Sequence, residues 1–339
     1  MHDKRLRVGL IGCGRIGRIH AANVVRCTPR AVLAVVCDAD RQAAQAVAEP
    51  LGVGRVTDRP QDVLADPAVE AVIIASPTDT HADYIVQAAR AGKHIFCEKP
   101  IDHDLGRTDA ALEAVRQAGV KLQIGFNRRF DANFARLRRA VVSGEIGMLR
   151  EIHIVSRDPA PPPVSYVRRS GGLFLDMTIH DFDMARFLTG GEVAEVYVAA
   201  GVLVDAAIGE AGDVDTAVTV LRFADGVLGT IANSRQAAYG YDQRVELLGS
   251  RGSAAAGNRF PNEVVVSDAH SVRRDLPLHF FLERYQDSFA AEVASFVEAV
   301  LEDRPPEVTG ADGRAAAILA LAAAKSWRER RPVPVAEIG

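Results

Sequence analysis

The stretch Leu6-Arg7-Val8-Gly9-Leu10-Ile11-Gly12-Cys13-Gly14-Arg15-Ile16-Gly17 decides the fold of the first part of this chain. Residues 6–11 are mostly aliphatic or β-branched and read as a buried strand. The Gly-x-Gly-x-x-Gly run that follows, and the helical run from Arg18 to about Cys27, are the dinucleotide fingerprint in its proper context. Gly12 allows the tight turn, Gly14 lets the backbone approach a pyrophosphate, and Gly17 lets helix pack on strand. The amides at the helix start, Arg15 and Ile16 among them, then face the phosphates. A second strand over 31–37 stops at Asp38, whose carboxylate suits hydrogen bonds to ribose hydroxyls. That charge repels a 2′-phosphate, so NAD is expected over NADP, with Arg41 nearby softening the preference.

Working outward, strands over 71–75, 94–97 and 121–125 alternate with helices over 40–51, 80–91 and 105–117. Such alternation predicts a parallel sheet covered by helices on both faces. Two breaks fall at carboxyl ends of strands, where open α/β sheets bind ligands: Ser76-Pro77-Thr78 and Glu98-Lys99-Pro100. Lys99 there suits donation to a developing alkoxide. After Gly125 the pattern changes. A helix over 133–143 is followed by strands over 151–157, 193–204, 214–223, 227–234, 243–248 and 263–266, with no helix expected between the later ones. This predicts a mostly antiparallel sheet. Helices over 285–301 and 312–328 close the chain.

The expected architecture is an α/β Rossmann dinucleotide-binding domain over 1–125, then an α+β domain over 126–339 with a large, mostly antiparallel open-faced sheet for substrate binding and oligomerisation. Strand 214–223 carries apolar residues on both faces, Val218 and Val220 on one, Leu221 and Phe223 on the other. One face calls for a second subunit to cover it.

The chain has 339 residues, 48% hydrophobic and 25% charged, with a net charge of −4. Nothing in that balance favours nucleic acid or an anionic membrane as partner. No secretory pattern or bilayer-length apolar run is present, so a cytoplasmic protein is expected. The four cysteines, Cys13, Cys27, Cys37 and Cys97, lack CxxC spacing and read as buried free thiols. His81, His94, His103 and His153 show no ligand spacing and read as solvated or structural, and no metal is expected.

A second informative stretch is Gly171-Gly172-Leu173-Phe174-Leu175-Asp176-Met177-Thr178-Ile179-His180-Asp181-Phe182-Asp183-Met184. It reads as a helix opened by a glycine pair. Asp176 and His180 share one helical face, the equipment of a general acid/base. Together with the glycine loop, Asp38, Ser76-Pro77-Thr78 and Glu98-Lys99-Pro100, it resembles the Gfo/Idh/MocA family of oxidoreductases over essentially the whole chain.

The resemblance implies Lys99, Asp176 and His180 as catalytic residues, with a cis Lys99–Pro100 bond. It implies an NAD site at Gly12, Gly14, Arg15, Ile16, Gly17, Asp38, Ser76, Pro77, Thr78, Glu98 and Lys99. Residues 125–131 and 156–163 are similar to the inositol 2-dehydrogenase branch, although Asn127 stands where many of that branch carry methionine. The implied reaction is NAD-dependent oxidation of a cyclitol hydroxyl, myo-inositol to 2-keto-myo-inositol, in a homotetramer. Expected substrate contacts are Asn127, Arg128, Arg157, Asp158, Asp176, His180, Tyr241 and Tyr285, with Gln243 beside them. The competing readings are a related sugar dehydrogenase and a dinucleotide-sensing regulator without chemistry. The presence of Lys99, Asp176 and His180 weighs against the regulator.

Overall fold

A computed structural model describes residues 4–339. In chain order the first elements are β1 (Leu6–Ile11), α1 (Arg15–Arg26), β2 (Ala31–Cys37), α2 (Arg41–Ala48), β3 (Val56–Thr57), α3 (Pro60–Leu64), β4 (Ala71–Ile74), α4 (His81–Arg90), β5 (His94–Glu98), α5 (Leu105–Ala118) and β6 (Leu122–Gly125). There follow α6 (Ala132–Val142), β7 (Leu149–Arg157), α7 (Val164–Ser170), α8 (Ile179–Thr189), β8 (Val193–Gly201), α9 (Ala206–Glu210), β9 (Thr216–Phe223), β10 (Leu228–Ser234), β11 (Asp242–Gly249) and β12 (Ser253–Ala256). The chain closes with β13 (Val265–Ser267), β14 (Val272–Arg274), α10 (Phe281–Arg284), α11 (Gln286–Leu301), α12 (Gly310–Glu329) and β15 (Val333–Pro334).

The chain forms two compact units, residues 4–130 with Asp287–Ala315, and Asp131–Gln286 with Ala316–Gly339. The first unit thus takes back a C-terminal segment, the alternative the sequence left open beside a single boundary after residue 125. Most of α11 belongs to the first unit, where Val293, Phe296 and Val297 join the core formed by Leu6, Val8, Leu10, Val24 and Phe96. The apolar face of α11 accounts for this, since it completes a core already begun by β1, α1 and β5.

The first unit holds a six-stranded sheet in the order β3-β2-β1-β4-β5-β6. All of its pairings are parallel. The order reverses between β1 and β4, so the carboxyl ends of these strands open onto the switch point where dinucleotides bind. β3 is a two-residue strand that the sequence pattern did not reveal.

The second unit holds a seven-stranded sheet, β12-β11-β7-β10-β9-β8-β15, parallel only between β7 and β10. The short helix α9 interrupts the run of strands expected without helices. β9 alternates strictly, burying Ala217, Leu221 and Phe223 and exposing Val218 and Val220. Tyr197, Leu228 and Leu248 are also exposed large apolar side chains of this sheet. Strand 263–266 is instead part of the β13–β14 hairpin.

Two local features differ from a simple helix over 171–184. Gly171 ends α7 in the left-handed region at φ 85°, and Gly172 follows at φ 78°. A β-carbon on Gly172 would meet Asp213 Oδ1 at 2.7 Å, so the pair turns the chain tightly past that carboxylate. Phe174–Thr178 then winds as a π-helical turn before α8 begins. Such turns accommodate one extra residue and recur at functional sites.

All four cysteines are free. Cys13, Cys37 and Cys97 are buried as expected, whereas Cys27 is exposed at the end of α1. Burial pushes the Cys13 and Cys37 thiols up to about 12, with Asp38 adding to the effect, so neither is a ready nucleophile. No described helix is long and apolar enough to cross a membrane.

Candidate active site

In the first unit the glycine loop has the geometry its residues imply. Gly12 sits at φ 102°, and a β-carbon there would strike the Ala75–Ser76 backbone at 2.5 Å. A β-carbon on Gly17 would strike the Gly12 carbonyl oxygen, so both positions exclude side chains for packing reasons. Gly14 differs, because a β-carbon there meets nothing within 4 Å. The loop is open on that side, as a bound pyrophosphate requires. No side chain caps the start of α1. Asp38 Oδ2 accepts from the Cys13 amide at 2.7 Å and Oδ1 from the Asp40 amide at 2.9 Å. The acid is thus pinned at the loop with lone pairs left for ribose hydroxyls.

Beside it, Ser76 and Thr80 share a hydroxyl–hydroxyl hydrogen bond of 2.7 Å, and Thr80 Oγ1 donates to the Pro77 carbonyl at 2.7 Å. The Lys99–Pro100 bond is cis. His81 lies 2.8 Å from both the Ser76 and the Pro100 carbonyl oxygens, tying the two sequence-predicted turns together. Its role is structural, and burial pulls its pKa down against the opposing pull of the two carbonyls. Glu98 does not turn its carboxylate to the solvent edge. Its Oε1 lies 2.6 Å from Nε2 of the buried His20. Asn127 is buried and donates to Ser288 Oγ at 3.3 Å, and Arg128 is buried too.

In the second unit, Asp176 lies in the π-helical turn and His180 in the first turn of α8. Asp176 is held at both oxygens. Tyr166 on α7 donates to Oδ1 at 2.8 Å, and Arg235 Nη1 donates to Oδ2 at 3.0 Å. Arg235 is 2% exposed and also lies 3.6 Å from Asp158 Oδ2. Asp213 accepts from the Leu173 amide at 3.0 and 3.1 Å, capping the start of the π turn. Burial raises the Asp213 pKa, with the Leu173 and Val214 amides opposing and Asp176 adding to the rise. Burial disfavours the Arg235 cation, but Asp176 and Asp158 outweigh it and its pKa rises.

Behind α8, Asp181 is fully buried and accepts from Asn233 Nδ2 at 2.8 Å, while Thr178 donates to Asn233 Oδ1 at 2.9 Å. Gln243 donates to Ser156 Oγ at 2.9 Å, and Tyr285 reaches Gln243 Oε1 at 3.5 Å. Tyr241 and Tyr285 stack edge to face with centroids 6.0 Å apart. Asp183 is buried on α8.

Arg157 does not join this group. The alternation of β7 buries Ile152, Ile154 and Ser156 and turns Arg157 to the opposite face of the sheet. There it bonds Tyr239 Oη at 2.9 Å and Asp242 at 3.4 Å. Arg235 and Tyr166, which the sequence reading did not single out, contact Asp176, and Arg235 also lies beside Asp158. No local pattern marks either residue. Their partners lie 10 to 77 positions away in sequence.

Residues 6–126 match the oxidoreductase family with an NAD-binding Rossmann fold, and residues 134–255 match the GFO/IDH/MocA C-terminal domain. The chain belongs to the GFO/IDH/MocA oxidoreductase family. Its relatives include a myo-inositol 2-dehydrogenase from Thermotoga maritima, 48% identical over 98% of this chain and 99% of that one. An inositol 2-dehydrogenase from Rhizobium meliloti is 47% identical over 98% and 99% of the two chains. Among solved structures, scyllo-inositol dehydrogenase from Lactobacillus casei, with bound NAD(H) and scyllo-inositol, superposes with a TM-score of 0.91. It is 31% identical, over 98% of this chain and all of that one. This GFO/IDH/MocA member is an NAD-dependent dehydrogenase acting on CH–OH.

Proposed function

We propose that this enzyme oxidises a ring hydroxyl of a cyclitol, converting myo-inositol to 2-keto-myo-inositol, with Lys99, Asp176 and His180 as catalytic residues. The observation that carries the reading is the arrangement around Asp176. A carboxylate fixed by Tyr166 and the buried Arg235, one turn before His180, suits a site that must orient an imidazole and grip a polyol. The names and extents of the relatives support the choice of substrate.

Gly12, Gly14, Arg15, Ile16 and Gly17 would hold the pyrophosphate and Asp38 the ribose of NAD, and Ser76, Pro77, Thr78 and the Glu98–Lys99 strand end would border its nicotinamide. When bound, NAD accepts the hydride from the hydroxyl-bearing carbon. His180 takes the hydroxyl proton, so that the C–O bond becomes a carbonyl as the hydride leaves. Lys99 donates to the oxygen while it carries negative charge. Asp176 orients His180 and accepts from a second hydroxyl. Asp158, Tyr241, Tyr285, Asn127 and Arg128 supply further contacts to the ring. Arg157 is left out of that set because of its place on the other sheet face. NADH formation by the purified protein across cyclitols and aldoses tests the reading.

The Asp38 assignment predicts that Asp38→Ser loses NAD affinity and gains relative activity with NADP. An unchanged ratio of the two specificity constants would show that Asp38 does not touch the ribose. The exposed row of Tyr197, Val218, Val220, Leu228 and Leu248 supports a subunit interface on the open sheet face, in a cytoplasmic homotetramer. Sedimentation at micromolar concentration then gives a species several times the 36.4 kDa chain mass, and a 36.4 kDa monomer would refute the interface.

A further inference from the structure

Three ionisable side chains meet inside the first unit, away from solvent. They are His20 on α1, Glu98 at the end of β5 and Glu292 on α11, with ligand atoms within 4.8 Å of one another. His20 and Glu292 are both 0% exposed. The rings of Phe96 and Phe289 stand edge-on to His20, at centroid distances of 4.9 and 6.1 Å. Neither carboxylate oxygen of Glu292 has a hydrogen-bond partner, although its main-chain oxygen accepts from Gln123 Nε2 at 2.8 Å.

An ionised carboxylate in such surroundings is strongly disfavoured. A shared metal ion fits poorly. Two ligands of one tetrahedral ion with ordinary bond lengths stand about 3.3 Å apart, whereas His20 Nε2 and Glu98 Oε1 are 2.6 Å apart. The direct contact is a hydrogen bond, and a proton is the remaining means of neutralising Glu292.

We infer that Glu292 is held as a neutral carboxylic acid, and that His20, Glu98 and Glu292 together form a positioning unit for the strand end that carries Lys99. The inference rests on the catalytic reading of Lys99. Glu98 immediately precedes Lys99, and its carboxylate is wedged between His20 and the backbone of Gly125, where a β-carbon would meet Glu98 Oε1 at 3.0 Å. The helix that presents amides to the pyrophosphate is thereby tied to the strand that presents the lysine. A second negative charge on Glu292 would push against Glu98 and loosen that tie. Burial, reinforced by the Glu98 charge, raises the Glu292 pKa well above its ordinary 4.5. The titratable groups facing it are Glu98 on β5 and His20 on α1.

The pH dependence has a definite sign. Above pH 4.5 the unfolded chain releases this proton and the folded chain keeps it, so wild-type stability falls as pH rises toward the folded pKa. Glutamine does not titrate. Thermal unfolding of full-length Glu292→Gln, relative to wild type, therefore improves steadily as pH rises above 4.5, until the folded acid itself ionises. A difference independent of pH overturns the neutral acid. Infrared absorption of the wild type alone gives a second reading. A carboxylic acid band persisting well above pH 4.5 supports the inference even if the variant does not fold, and its absence overturns it.

The positioning role is read in kinetics. By emptying the buried space beside His20 and Glu98, Glu292→Ala lowers kcat about tenfold with KM for NAD within about twofold, and the isosteric Glu292→Gln refills that space and recovers most of it. Equal losses in Ala and Gln variants would overturn the positioning role. If Lys99→Met proves fully active, the catalytic reading falls, while the stability and infrared measurements still decide the state of Glu292.

Discussion

His180→Ala and Lys99→Met each reduce NADH production by about 10²–10³-fold or more while NAD still binds, as expected when a charge-stabilising or proton-accepting group at the reacting atoms is lost. The two variants remove different things. His180→Ala leaves the hydroxyl proton without an acceptor. Lys99→Met keeps the length of the side chain but removes the donor to the oxygen. Binding of NAD, followed by the change in protein fluorescence or by calorimetry, stays near wild type, because the proposed cofactor site, the glycine loop and Asp38, is untouched. A wild-type rate in either variant would remove that residue from the mechanism. Loss of NAD binding in His180→Ala would point to a structural role instead.

Arg235→Met gives the largest expected loss of stability. Arg235 is almost completely buried and faces Asp176 at 3.0 Å and Asp158 at 3.6 Å. Removing one partner of a buried ion pair costs about 3–5 kcal/mol, because the remaining charge is left unpaired. Here Asp176 and Asp158 both lose that cation, with Asp213 also in range of it. Denaturant unfolding of the purified variant measures the loss. Turnover falls as well, since Asp176 then loses one of the hydrogen bonds that fix its orientation. Arg235→Lys restores the charge but not the forked geometry, and should recover stability more than turnover. A stability within about 1 kcal/mol of wild type in Arg235→Met would contradict the network, being what a surface pair shows.

The first unit was legible because its signals are local. Strand, glycine loop, helix and the acid closing the second strand all fall between Leu6 and Asp38, and the structure places Asp38 against the Cys13 amide as that pattern requires. Two-residue β3 is too short to show a period, and α9 has only five residues. The destination of α11 was hidden for a different reason. Helix propensity marks where a helix lies, and sequence order suggested the second unit, but the core that buries Val293 and Phe296 is built from residues of β1, α1 and β5.

Asp176 and His180 were visible as a spacing, yet the π-helical turn around Asp176 was not. Phe174, Leu175 and Met177 give the same apolar signal whether the turn closes with four residues or five. Arg235 illustrates the harder limit. In the sequence it sits in Ser234-Arg235-Gln236, a typical surface turn, and it is buried only because Asp158 and Asp176 are brought to it by other elements. Arg157 is the converse. A single step of strand alternation sends it to the open face, and no motif could supply that register without the neighbouring strands.

The most direct measurement is the initial rate of NADH formation by the purified protein with NAD and each of myo-inositol, scyllo-inositol, chiro-inositol and common aldoses. A cyclitol, myo-inositol first among them, gives the highest kcat/KM, and the product from myo-inositol is the 2-ketone. An aldose turned over faster than every cyclitol would contradict the account, and NAD binding without NADH formation from any of them would overturn it.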